Sequence, residues 1–177
     1  MYYRDDNNEV IGVLNDYDLA SQKGDPPRGN QRTGTIPFMA LDLLRPDGQS
    51  GKVEHVYRHD LESFIWVLVW LTLLYKDGEK VSGSIDDWAK VDANSCYLAK
   101  LGFLNRPPDL PDRVYYMVLY LQKTVNSRSE LKMKLKHYSS NNSPRSPQES
   151  QKIKALETKL SKVSTSYKKK VIGSLLL

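Results

Sequence analysis

Cysteine is all but missing from this 177-residue chain, and histidine is scarce. A single Cys96 cannot form an internal disulfide, so a reducing, intracellular setting is expected. His55, His59 and His137 are scattered, and with one cysteine they make no zinc-ligand spacing. Long apolar runs are lacking too. The longest, Phe64–Tyr75, has 12 residues, short of the roughly 18 that span a bilayer. The first ten residues, MYYRDDNNEV, hold no apolar stretch of the signal-peptide kind. No internal repeat is present.

What the chain does have is charge, and it is unevenly spread. The net charge of +5 hides a split. Residues 1–122 hold 13 Lys+Arg against 18 Asp+Glu, a net −5, whereas residues 123–177 hold 13 against 3, a net +10. An acidic body with a basic tail gives no support for nucleic-acid binding by the whole chain, and no specific nucleic acid is expected as a partner. With 40% hydrophobic residues, the length fits one domain with a real core, over residues 1–125, followed by a basic low-complexity tail over 126–177.

Two apolar stretches, MYY and EVIGVLND, flank the polar RDDNN, which predicts a β-hairpin with its second strand near Val10–Asn15. Residues 21–32 carry two glycines and two prolines and read as an exposed loop. TIPFMALDLL suggests a short helix near Met39, and RPDGQSGKVEHVYR a second loop. Asp60–Tyr75 starts acidic and becomes apolar almost all round, which predicts a helix buried on every side, the pillar of the fold. Further helices are expected at Asp86–Phe103 and Asp112–Val125, separated by prolines that forbid continuation. The expected class is therefore mainly α, with an N-terminal β-hairpin.

YSSNNSPRSPQES predicts disorder over residues 139–150. Ile153, Leu156, Leu160, Val163 and Tyr167 then recur at 3-4-3-4 spacing, interleaved with lysines, and predict an amphipathic helix over 151–172 in loose contact with the body at most. Its narrow stripe lacks Trp and Phe, so packing on the body or on a partner helix is expected ahead of an anionic membrane. The basic tail suits contact with acidic partners.

GVLNDYDLA poses the chemical question, since two aspartates, Asp16 and Asp18, close an apolar run. An EF-hand fails: Ala20 stands at position five, no glycine follows at position six, and no bidentate glutamate closes the loop. Alternate strand residues do point the same way, which allows a carboxylate pair, but no other feature indicates a hydrolase. On these two residues alone, a solvated strand end is the favoured reading.

The order of the segments that follow adds a resemblance. D-Y-D-L-A resembles the D-F-G-L-A segment of protein kinases. Eighteen residues after Asp16 comes GTIPFMALD, Gly34–Asp42, which resembles the G-T-x-x-Y-M-A-P-E stretch that closes the kinase activation segment. Eighteen residues after Asp42 comes DLESFIWVLVWL, similar to the start of the large central helix of the kinase C-lobe, in casein kinases among others. Together they most resemble the fungal-type protein kinase family, over about residues 1–125.

The resemblance implies a C-lobe fragment of a serine/threonine-type protein kinase, a transferase that uses ATP and Mg2+. It implies Asp16 as the magnesium and nucleotide ligand, and Thr35 as the threonine that hydrogen-bonds the catalytic base. Asp42 would be the ion-pair partner that anchors the activation segment, and Asp60 a structural acceptor for backbone N–H groups of the catalytic loop. Asp18 stands where glycine is usual, and Leu41 where proline is. No glycine-rich phosphate loop, V-A-I-K lysine, αC glutamate or H-R-D-x-x-x-x-N loop is found, so no catalytic base is present. RHDLESFI lies after Asp16 and carries Ile65 in place of the asparagine, so it is no substitute. The expectation is a chain that starts after the catalytic asparagine and is inactive alone. A non-catalytic module that docks protein partners is the alternative.

Overall fold

The computed structural model describes residues 2–12, 34–139 and 147–175, and the chain divides into two compact units, residues 1–30 and 31–177. In the first, β1 (Tyr2–Arg4) pairs antiparallel with β2 (Val10–Gly12), Tyr3 opposite Ile11. The Asp5 carboxylate shapes the turn by accepting from the N–H groups of Asn7 and Glu9. Residues 13–15 of the expected strand lie outside the described residues.

The second unit is helical. A single 3-10 turn, Ile36–Phe38, leads into α1 (Leu41–Leu44) and α2 (Pro46–Gln49), where the sequence suggested one short helix and a loop. Pro46 opens α2, its fixed φ suiting a first helical position. Gly48 is required there: a Cβ would stand 2.4 Å from the Asp42 carbonyl oxygen.

The pillar is α3 (Tyr57–Leu74). It begins three residues before Asp60 because His59 caps it: its Nδ1 accepts from the Val56 N–H at 3.1 Å. Ile65, Trp66, Val69 and Leu74 are fully buried, with Ile65 alone contributing about 2 kcal/mol of apolar burial. The expected burial on every side does not hold, since Phe64 is 45% and Leu71 49% exposed on another face. Apolar residues all round say that a helix can be buried, not which neighbours exist to bury it. After α3, β3 (Tyr75–Lys76) and β4 (Glu79–Lys80) form a hairpin. Its turn, Asp77-Gly78, has positive φ at both residues, as a tight two-residue connection demands.

The helix expected at Asp86–Phe103 is two pieces, a 3-10 turn at Asp86–Ala89 and α4 (Ala93–Asn105). Asp92 causes the break: its carboxylate accepts from the N–H groups of Asn94 and Ser95, starting a new helix. Trp66, Trp88 and Phe103 then pack edge to face, with centroids 5.6–6.0 Å apart.

The helix at Asp112 does not stop at Val125 but runs to Ser139 as α5. Polar composition from Asn126 onward marks solvent on one side of a helix, not the end of it. Then α6 (Pro147–Leu175) packs along α5, a longer and closer association than the loose contact expected. Met133 and Tyr138 share a cavity with Lys152 and Leu156, while Lys170 lies over the Tyr120 ring at 5.3 Å, so the two helices run antiparallel. Ile153, Leu156, Leu160 and Val163 are half-buried, as their spacing predicts. Of the stretch expected to be disordered, residues 147–150 are helical, and 140–146 lie outside the described residues. Among the described residues no helix is long and apolar enough to cross a membrane.

Candidate functional site

Polar contacts converge on one short segment, Met39–Asp42, from three helices. Asp42 lies in the first turn of α1, partly buried. Its Oδ2 accepts from Arg58 Nη2 at 2.8 Å and Arg128 Nη2 at 3.1 Å, and its Oδ1 from Lys132 Nζ at 3.3 Å. Arg58 comes from the first turn of α3, Arg128 and Lys132 from successive turns of α5. One carboxylate thus ties α1 to both long helices. Burial by itself would raise the Asp42 carboxyl; the approach of His59 and the charges of Lys132, Arg58 and Arg128 outweigh it and hold it well below the usual carboxylate range.

His59 Nε2 is fully buried and lies 3.9 Å from Asp42 Oδ2, too far for a hydrogen bond. Because Nδ1 accepts from Val56, the neutral ring carries its proton on Nε2, directed at Asp42. Burial pushes the imidazole below its ordinary value, and Asp42 opposes that only in part.

The second contact is deeper. Glu62, one turn beyond Arg58, is buried, and its Oε1 accepts from the Leu41 N–H at 2.7 Å and from Trp66 Nε1 at 3.3 Å. Leu41 heads α1, so its N–H has no partner within the helix. A proline at this position would have no N–H for Glu62. Burial raises the Glu62 carboxyl, against the hydrogen bond from Leu41 and the charge of Lys100.

Lys100 supplies the third contact. Its fully buried Nζ donates to the Met39 carbonyl at 2.7 Å and sits 4.5 Å from the Trp66 ring centroid and 5.7 Å from that of Trp88. Burial pushes the ammonium down to about 7, Cys96 and Glu62 opposing.

The residues singled out by sequence divide. Asp16 and Asp18 lie outside the described residues. Thr35 is exposed just before the 3-10 turn and makes no side-chain capping bond. Asp60 pairs with His55 Nε2 at 2.8 Å on an exposed face of α3, and the His55 ring stacks on that of His59 with centroids 5.7 Å apart. Asp42 is at the centre. Sequence reading missed Glu62, Lys100, His59 and the cations around Asp42. The i, i+4 step from Arg58 to Glu62 to Trp66 and the lone lysine inside YLAKLGF were the available signals. Among the described residues no group of three or more His, Cys, Asp or Glu side chains could hold a metal ion, so this segment offers Mg2+ no cage. Its chemistry is anchoring.

No curated protein and no solved structure matches the chain. A family model does, over residues 1–72, ending at Thr72 inside α3, whereas the resemblance read from the motifs extended to about 125. The matched residues include D-Y-D-L-A, Gly34–Asp42 and the Asp60 start of the central helix, the three motifs that carried the resemblance. Over residues 1–72 the chain is similar to the fungal protein kinase family.

Proposed function

We propose that this chain contributes the activation-segment anchor and C-lobe helices of a serine/threonine-type protein kinase, which transfers phosphoryl groups from ATP to protein. The observation that carries this reading is the triple fastening of residues 39–42, by Lys100 on Met39, Glu62 on Leu41 and three cations on Asp42. Phosphoryl transfer depends on positioning, and a segment that aligns a substrate must not drift against its helices. In this reading Asp16 is the magnesium ligand, Mg2+ neutralises phosphate charge, Thr35 faces the base, and Asp60 supports the catalytic loop. The lone Cys96 fits a reducing, intracellular compartment.

These 177 residues include no base and no phosphate loop, so alone they should be silent. The test is an ADP-release assay with Mg-ATP and a degenerate Ser/Thr peptide pool. No turnover above background is expected; turnover that Asp16→Ala abolishes would contradict it. An in-frame H-R-D-x-x-x-x-N upstream of Met1 in the genomic sequence supports the kinase reading, and its absence favours the second one. That second reading, a non-catalytic docking module, is favoured by the exposed Phe64 and Leu71 on α3. A module that docks protein without Mg-ATP raising its melting temperature supports it.

A further inference from the structure

The Asp42 carboxylate forms one side of a cleft of about 480 Å³, set between α1, the start of α3 and the middle of α5. Its lining carries five cations, Arg45, Arg58, Arg128, Lys132 and Lys136, and two acids, Asp42 and Glu62. The acids are already engaged. Glu62 is buried and accepts from Leu41 and Trp66, and Asp42 is shared among three cations. The Arg45 guanidinium lies 5.9 Å from the Tyr97 ring centroid and has no carboxylate partner among the described residues. Positive charge therefore exceeds negative in a concave site with low-dielectric walls, the arrangement that concentrates anions.

The two guanidiniums that hold Asp42 are set deep. Arg58 and Arg128 side chains are only 17% and 12% exposed. Burial lowers the Arg128 guanidinium and the charge of Arg58 lowers it further, with Asp42 and Glu62 opposing. Guanidinium groups meet phosphate oxygens in a planar fork, and ammonium groups add point charge. The cleft is also larger than one phosphate, with Leu121, Val125 and Met133 giving an apolar wall beside the cations. That combination suits a phosphate carried on a carbon chain.

The geometry points to a phosphoryl-binding cleft here, one that takes a phosphorylated serine or threonine side chain of a protein partner, with Arg45 as its unpaired contact. It requires neither ATP nor Asp16, so its failure would leave the kinase reading untouched.

Fluorescence anisotropy of the full chain with a labelled degenerate phosphoserine peptide pool tests this. The phosphorylated pool should bind about 10-fold tighter or more than the same pool unphosphorylated, the worth of one good charge-assisted contact. Arg45→Ala should remove most of that preference and Arg45→Lys only part of it. Arg45 takes no part in the Asp42 pairs, and an unchanged melting temperature verifies that the variants fold. Lys154→Ala, an exposed charge on α6 outside the cleft, should leave the preference intact. Three results would overturn the proposal. One is equal binding of both pools. Another is equal loss in Arg45→Ala and Lys154→Ala, which means diffuse charge attraction. The last is inorganic phosphate binding as tightly as the peptide, which means a free-phosphate site.

Discussion

Asp42 and Glu62 are two carboxylates that fasten neighbouring residues of one segment under opposite electrostatic conditions. Asp42 is partly open to water, surrounded by Arg58, Arg128 and Lys132, and held firmly ionised. Glu62 is sealed, bonded to a backbone N–H and an indole, with its carboxyl pushed up by burial. The difference teaches what each can do. An ionised carboxylate among excess cations anchors the segment and still leaves a field for a ligand. A sealed carboxylate can only anchor, and its contribution lies in satisfying donors that nothing else reaches.

Removing the sealed anchor should have the largest effect. Glu62→Ala leaves the Leu41 N–H and Trp66 Nε1 buried and unpaired and opens a small cavity, a loss of about 4 kcal/mol in urea unfolding. Glu62→Gln keeps an acceptor oxygen and should lose less than about 1.5 kcal/mol, sharpening the claim that hydrogen bonding, not charge, is what Glu62 supplies. Asp42→Ala should follow at about 3 kcal/mol, because three cations are left facing one another. This loss should shrink in high salt, whereas that of Glu62→Ala should not.

The two anchors also separate by pH. Asp42 is held below its ordinary 3.8, so its contribution is complete above that pH and is lost as acid protonates it. Lys100 behaves in the opposite range. Its folded value of about 7 lies below the ordinary 10.5, so between these the unfolded chain holds a proton that the folded one has released. Stability should therefore rise from pH 7 to pH 9, by about 2 kcal/mol at most. The window closes at 9, where the raised Cys96 thiol contributes the opposite slope. Lys100→Met should flatten the rise while unfolding at a similar urea concentration at pH 7.

The smaller effects lie away from both anchors. Asp92→Ala removes the cap that separates α4 from the preceding turn and should lower the melting temperature by less than Asp42→Ala does. Arg45→Ala should change stability by less than about 0.5 kcal/mol, since its side chain is exposed and without a carboxylate partner among the described residues.

The helical class, the position of α3 and the half-buried stripe of α6 were legible because each rests on local periodicity. The length of α5 was not: Asn126 to Ser139 is polar enough to look like a tail, and only packing against α6 shows why it stays helical. The break before α4 was available in the DANS stretch, where Asp92 precedes the capped N–H groups, but an unbroken apolar pattern hid it. Asp42 was picked out by motif order. Its cations lie 16, 86 and 90 residues away, and no local pattern brings such distances together. Glu62 and Lys100 were missed for a related reason: charged residues on helices are usually solvated, and their burial follows from an aromatic cluster assembled from three separate segments.

The central claim, that residues 39–42 are pinned from below by Glu62, is tested most directly by amide hydrogen exchange at Leu41. A lone N–H at the head of a four-residue helix would exchange at nearly the rate of a free peptide. Bonded to buried Glu62, the Leu41 amide should instead be among the slow exchangers of the chain. Glu62→Gln should keep most of that protection and Glu62→Ala should abolish it. Rapid exchange at Leu41 in the unmodified protein, while the α3 amides stay protected, would contradict the account.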